Sequence, residues 1–298
     1  MKTLDKESFL EKYRLREFYR EELISWDTIQ DIYDDFGEQR IKELEKVQNR
    51  VQKLLKTKLK DHYHSIESRI KNPEHLVEKI IRKICVENNY KYEEICKDNY
   101  CEIIRDLIGI RILVFSKEGW EQVHDVLCSV FKTKDDKKRN SRYYMEENPE
   151  AYIRYGDRDV FHNKINTQYS NKGYRSQHYI IAYDGHYCEI QVRTIAEEVY
   201  GEFDHKVRYP YRKDNKFLLR YTTTMSQIMS VADELVSTCL QMSEELWDKC
   251  DAEYSGDVYA DFVIRNKPPT VDDNKKKSDK SSDAKTIANN KILRREGD

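Results

Sequence analysis

The sequence predicts an α+β fold, a mixed β-sheet flanked by helices, with further helical segments at both ends. Three observations predict it. "RDLIGIRILVF" (105–115) is nearly all apolar and β-branched, as a buried central strand should be. "GYRSQHYIIAY" (173–183) and "HYCEIQVRT" (186–194) are alternating runs joined by Asp184-Gly185, a dipeptide suited to a two-residue hairpin turn. Around these strands, apolar residues recur at helical spacing.

The elements follow in order. Residues 1–60 form an N-terminal helical segment. From about 5 to 60 there is no Pro and one Gly, Gly37, while Ile41, Leu44, Val47, Val51, Leu54 and Leu55 repeat at helical spacing. Two or three helices are expected. "HYHSIESRIK" (62–71) is strand-like and stops at Asn72-Pro73. Pro at a first turn then opens the helix "PEHLVEKIIRKICVEN", with Leu76, Ile80, Ile81 and Ile84 on one face. After the 105–115 strand comes the helix "KEGWEQVHDVLCSVF". Residues 133–172 are polar and hold at most one short strand, "AYIRYG"; a loop this long is either a lid or binding loop or disordered. The hairpin follows, then the helix "IAEEVYGEFDHKVRY" to a stop at Pro210, then a long helix over about 216–250. Residues 61–250 make the central domain. Residues 251–298 are a polar tail, with few large apolar residues from Lys267 on, and are expected to be disordered.

Charge and cysteine usage exclude several classes. Lys+Arg 53 against Asp+Glu 55 gives a net charge of −2, so bulk attraction to duplex nucleic acid is not indicated. The 7 cysteines are odd in number and have no C-x-x-C pair, which argues for a reducing compartment with neither a disulfide frame nor a zinc site. The first residues are too charged for a signal peptide, and no apolar run approaches the ~20 residues that span a bilayer. A cytoplasmic location with no membrane partner is expected.

Two constellations carry chemistry. Asp106 stands at the lip of the buried strand, where a carboxylate is costly unless a cation meets it; Asp also caps strands with no other role. On the last strand, Tyr187, Glu189, Gln191 and Arg193 share one face, and Cys188, Ile190 and Val192 the other. Tyr174, Ser176 and His178 make a second polar stripe, with Arg175 opposite. Such stripes can simply face solvent, but paired in a hairpin they bring a ring, an imidazole, a carboxylate and a guanidinium together. Carboxylates on neighbouring strands suit Mg2+ held on oxygen ligands with substrate phosphates. Upstream, Arg69 and Lys71 share a strand face, and Lys79 and Arg82 lie three apart on the next helix. They form either a phosphate grip or a solvated charged surface. "EQVH" (121–124) and "EFDH" (202–205) match part of a di-iron bundle pattern, but β-like runs lie between them.

"SRIKNPEHLVEK", "RDLIGIRILVF", "GYRSQHYIIAY", "EIQVRT" and "DHKVRYPY", in this order, resemble the RelA/SpoT alarmone synthetase domain over about 62–240. The resemblance implies a nucleotidyltransferase-like mixed sheet. It implies Mg2+-dependent transfer of pyrophosphate from ATP to the 3′-hydroxyl of GDP or GTP. Carried over, Arg69 stacks on adenine, Lys71 and Lys79 hold ATP phosphates, and Arg111 faces phosphates. Asp106 and Glu189 bind Mg2+ and act in catalysis, Glu189 also as the base. Tyr174 stacks on the acceptor base, and His178 and Arg193 belong to the acceptor site. The pattern is that of a small, stand-alone synthetase, with a homo-oligomer among the assemblies it allows. Related toxins modify the tRNA 3′ end and other relatives use adenosine acceptors. "KTKDDKKRNSRYYM" (132–145) suits either a nucleotide or tRNA, and a non-catalytic nucleotide sensor is a further alternative. Two positions depart from the family pattern, which usually has Ser at His75 and often Trp at Tyr200. The first would touch ATP contacts; the second is expected to be packing.

Overall fold

The computed structural model describes residues 3–133, 135–136, 140, 142–154, 161, 164–170, 173–208 and 215–253, with side-chain detail as far as residue 243. Asn72 caps the helix at Pro73–Cys85, its side chain accepting from the Glu74 and His75 amides at 2.9 and 3.3 Å. Pro73 sits where its missing N–H costs nothing. Before it come three helices, α1 (Lys6–Lys12), α2 (Trp26–Asp35) and α3 (Ile41–Leu59), the last two joined by a π turn at Phe36–Arg40. The expectation for residues 1–60 is met in kind. The capped helix is α4, and α5 (Tyr100–Ile103) and α6 (Gly119–Val130) follow.

Among the described residues the sheet has seven strands: β1 (Ser65–Ile70), β2 (Ile108–Val114), β3 (Tyr143–Met145), β4 (Glu150–Ile153), β5 (Asn166–Tyr169), β6 (Ser176–Tyr183) and β7 (His186–Thr194). Their order is β1-β2-β7-β6-β4-β5, with β3 also on β6. The sheet is mixed, because β2 pairs parallel to β7 and β4 parallel to β5, while the other pairs are antiparallel. Asp184 and Gly185 have φ of 48° and 82° and close the β6–β7 hairpin with Tyr183 opposite His186, as the sequence predicts.

One expectation fails. The 133–172 segment carries three strands rather than at most one. They are three or four residues long, too short to give a readable period; β4 alternates half-buried and buried residues, while all four residues of β5 are exposed.

The strands divide their residues cleanly. Ile66, Ile108, Ile110, Ile112, Cys188, Ile190, Val192, Tyr179 and Ile181 are buried, in one core with Leu44, Val47, Val51 and Leu55 of α3 and Val123 and Leu127 of α6. Residues of alternate parity, among them Arg69, Arg111, His178, Glu189 and Gln191, take the other face. Helix α7 (Ile195–Val207) begins where β7 ends, with Thr194 as its cap. The chain forms two compact units, 1–239 and 240–298. Helix α8 (Lys216–Glu253) runs to the last described residue, and residues 240–253 of the second unit are its end. Among the described residues no helix is long and apolar enough to cross a membrane. The expected tail falls almost wholly outside the described residues, as do Lys134, Lys137, Lys138 and Arg139.

Candidate active site

Sheet register builds the site. Arg69 lies opposite Gly109, and Gly109 opposite Glu189. One row further, Glu67, Arg111, Gln191 and His178 stand in line across four strands. Lining these rows is an open cleft of ≈ 410 Å³ bounded by Arg69, Gly109, Arg111, Glu189 and Gln191, among others. Gly109 keeps its floor flat: a Cβ there would meet Arg69 Cγ at 3.7 Å and Nε at 3.8 Å.

Asp106 lies two residues before β2, not on the strand itself. The Lys71 amide bonds to the Leu107 carbonyl at 2.9 Å, extending the β1–β2 ladder past its end and bringing the two side chains together. Lys71 Nζ sits 2.7 Å and Lys79 Nζ 2.8 Å from Asp106 Oδ2. Burial alone would push the Asp106 carboxyl up, but the two ammonium groups hold it well below the usual carboxylate range. Burial, with Lys79 alongside, pushes the Lys71 ammonium down. Lys79 is also buried, but Asp106 raises it.

Glu189 is held from two sides. His178 Nδ1 lies 3.2 Å from Oε1, and Gln191 Nε2 donates to Oε2 at 3.0 Å. Burial works against its charge and Asp106 repels it, but His178 and Lys79 lower its carboxyl below the ordinary value. The two carboxylates therefore share one electrostatic cluster. Asp106 Oδ1 is buried without a hydrogen-bond partner. Two mutually repelling carboxylates, one with an orphaned oxygen, fit a hard cation. Among the described residues no three His, Cys, Asp or Glu side chains group to hold a metal. Substrate oxygens or water would have to complete the shell.

On the far side of Glu189 the rings gather. Tyr174 Oη is 3.1 Å from His178 Nε2, and the Tyr152 ring lies 5.0 Å from His178 and 6.1 Å from Tyr174. Arg193 is buried beneath them. It donates to Tyr174 Oη at 2.6 Å and to Gln191 Oε1 at 2.5 Å, and pairs with Glu198 at 3.0 Å. It supports Tyr174 rather than facing the cleft. Arg111 reaches the cleft but is clamped by Glu198 at 2.5 Å and by Glu202. Arg82 is turned away, paired with Glu78 and Glu87. His75 packs edge-on to Tyr13, and Tyr200 is fully buried, consistent with packing. His124, of the di-iron pattern, is buried and bonded to Tyr179 at 3.1 Å.

Sequence reasoning missed Tyr152, Gln191 as a ligand of Glu189, and the Glu198/Glu202 clamp. Only the clamp had a signal, a four-residue spacing that puts both acids on one side of a helix. Tyr152 joins through the irregular strands.

A family profile described as the region found in RelA / SpoT proteins matches residues 68–214. Among solved structures, small alarmone synthetase 1 from Bacillus subtilis is 20% identical, with a TM-score of 0.50, covering 71% of this chain and 99% of its own. The same protein bound to its product pppGpp is 17% identical, TM-score 0.47, covering 71% and 98%. A GTP pyrophosphokinase family protein from Streptococcus pneumoniae is 21% identical, TM-score 0.42, covering 78% and 98%. No match is found among curated proteins. The first of these structures shares the chain's α+β fold. Residues 68–214, which hold every site residue the sequence predicts, are a domain of the RelA/SpoT family.

Proposed function

We propose that this protein is an ATP-dependent pyrophosphokinase that transfers the β,γ-pyrophosphate of ATP to the 3′-hydroxyl of GDP or GTP. The observation that carries the reading is the Lys71–Asp106–Lys79 cluster beside Glu189, with an aromatic wall on its other side. In the free protein the two lysines neutralise Asp106; ATP phosphates would take those lysines over. Arg69, with no ion pair among the described residues, is free to stack on a base over Gly109. Arg111 lies beside the phosphate path, provided its acids share it.

Tyr174 and Tyr152 offer faces for the acceptor base, and His178 and Gln191 fix the Glu189 carboxylate. As the 3′-oxygen bonds to the β-phosphorus, its proton passes to Glu189. The bond from that phosphorus to the bridging oxygen breaks, and AMP leaves with the electron pair. Lys71 and Lys79 offset charge on the phosphate oxygens. Mg2+, held by Asp106 and Glu189 with substrate oxygens, would add neutralisation of the pyrophosphoryl group.

Incubation with γ-labelled ATP and, separately, GDP, GTP, ATP and tRNA tests this. Label is expected on GDP or GTP, with one AMP released per product. Label on tRNA alone would replace the acceptor, and transfer to none of the four would refute the reaction.

A further inference from the structure

Helix α8 is amphipathic in the inverted sense. Its buried residues are polar: Thr222, Ser226, Asp233 and Ser237. Its apolar residues Phe217, Tyr221, Ile228, Val231 and Leu235 are each more than half exposed. Buried polar groups add little to stability unless bonded, but they fix geometry when they are. Two of them, Ser226 and Asp233, hold the segment that carries Tyr174.

The Ser226 hydroxyl donates to the Gly173 carbonyl at 2.6 Å, and Arg154 donates to the Ser226 carbonyl at 2.9 Å. Gly173 has φ of +71°, and a Cβ there would lie 2.5 Å from Ser226 Oγ and 2.9 Å from Ser226 Cβ, so the contact admits only glycine. About two turns along α8, Asp233 pairs with the buried Arg175 and accepts from Thr194 Oγ1 at 3.0 Å. Thr194 in turn caps α7, accepting from the Glu197 amide at 3.1 Å. Tyr174 therefore stands between two residues that α8 holds, Gly173 by its carbonyl and Arg175 by its guanidinium. Its own ring projects to the other side, towards His178 and Arg193.

We infer that Ser226 and Asp233 are positioning residues for acceptor recognition: they act through Gly173 and Arg175 to fix the Tyr174 ring. The inference rests on the proposed transfer for its kinetic consequence, but the grip itself is independent of it. Loosening it should cost the acceptor alone, because the Lys71–Asp106–Lys79 cluster lies on other elements.

The test uses the full chain with Ser226→Ala and Asp233→Asn. Ser226→Ala should raise the acceptor KM about fivefold, the effect of about one lost hydrogen bond to a buried carbonyl, with ATP KM and kcat within twofold. Asp233→Asn should move the same constant further. Hydrogen exchange at amides 173–176 should quicken in both while that of β2 does not. Unchanged exchange at 173–176 in Ser226→Ala overturns the inference. So does a parallel rise of both KM values with faster exchange throughout, which would mean a general loss of stability. If Asp233→Asn does not fold, Ser226→Ala decides alone. If the wild type transfers no pyrophosphate, the function fails, and exchange at 173–176 still decides whether α8 holds this segment.

Discussion

Replacing Asp106 with Asn should do two opposite things. The carboxylate accepts from two ammonium groups at 2.7 and 2.8 Å, and all three side chains are roughly four-fifths buried, at 24%, 17% and 19% exposure. A charge-assisted hydrogen bond of this kind contributes about 1.5–3 kcal/mol. Asn keeps the shape and one weaker acceptor, and partial solvent screening reduces the loss further. About 2 kcal/mol of stability should go, a fall of roughly 4–8 °C in Tm for a chain of this size. On the proposed reading turnover should vanish, because Asp106 would no longer help to hold Mg2+. Yet ATP binding without Mg2+ should tighten, because Lys71 and Lys79 no longer have an internal counter-charge. With about 1 kcal/mol recovered, the gain is roughly fivefold. Calorimetric unfolding and titration of a non-hydrolysable ATP analogue in EDTA measure both. Metal-free binding weakened more than threefold, or retained turnover, would refute the assignment of these lysines as ATP-phosphate ligands that Asp106 masks.

Four further outcomes are expected. Glu189→Gln should abolish transfer with the fold intact, and its combination with Asp106→Asn should be far from additive in kcat, since both act on one cluster. Tyr174→Ala and Tyr152→Ala should each raise the acceptor KM about tenfold, the scale of one base–aromatic stack, with the ATP KM unchanged; a rise in the ATP KM instead would mean the pockets are exchanged. The Asp106 and Glu189 carboxyls both titrate lower in the folded chain than when unfolded. The stability they contribute is thus complete above about pH 4 and lost as pH falls below it, so Asp106→Asn should flatten the acid limb of a Tm-against-pH profile. Changing Lys134, Lys137, Lys138 and Arg139 together to Ala should leave nucleotide-dependent turnover largely intact, and loss of that turnover would give this segment a role at the nucleotide site.

The buried strand, the hairpin and the helix caps were legible because each is a local pattern: a β-branched run, an Asp-Gly turn, an Asn-Pro start. The juxtaposition of Arg69, Asp106 and Glu189 was legible mainly through family resemblance, since no local signal announces that β2 and β7 pair in parallel. Arg111 and Arg193 show the limit most clearly. Parity puts both on the site face, but their engagement by Glu198 and Glu202 depends on where α7 lies after β7. Tyr152 was hidden for a different reason: it lies in the short strand read at "AYIRYG", but four residues fix no register, and its place opposite Ser176 is chosen by tertiary pairing.

The row Arg69–Gly109–Glu189 joins positions 40 and then 80 residues apart in the chain. Closing an 80-residue loop costs about 4 kcal/mol of chain entropy beyond a constant, so the β2–β7 ladder belongs to the late part of folding. The antiparallel β1–β2 pair, with Lys71 and Lys79 against Asp106, closes a shorter loop and can form first. A chain arrested at that stage, on the ribosome or after partial denaturation, would hold Lys71 and Lys79 against Asp106 without the Glu189 carboxylate. If the proposed function holds, such a chain would take up ATP without consuming it, the chemistry waiting on the last strand.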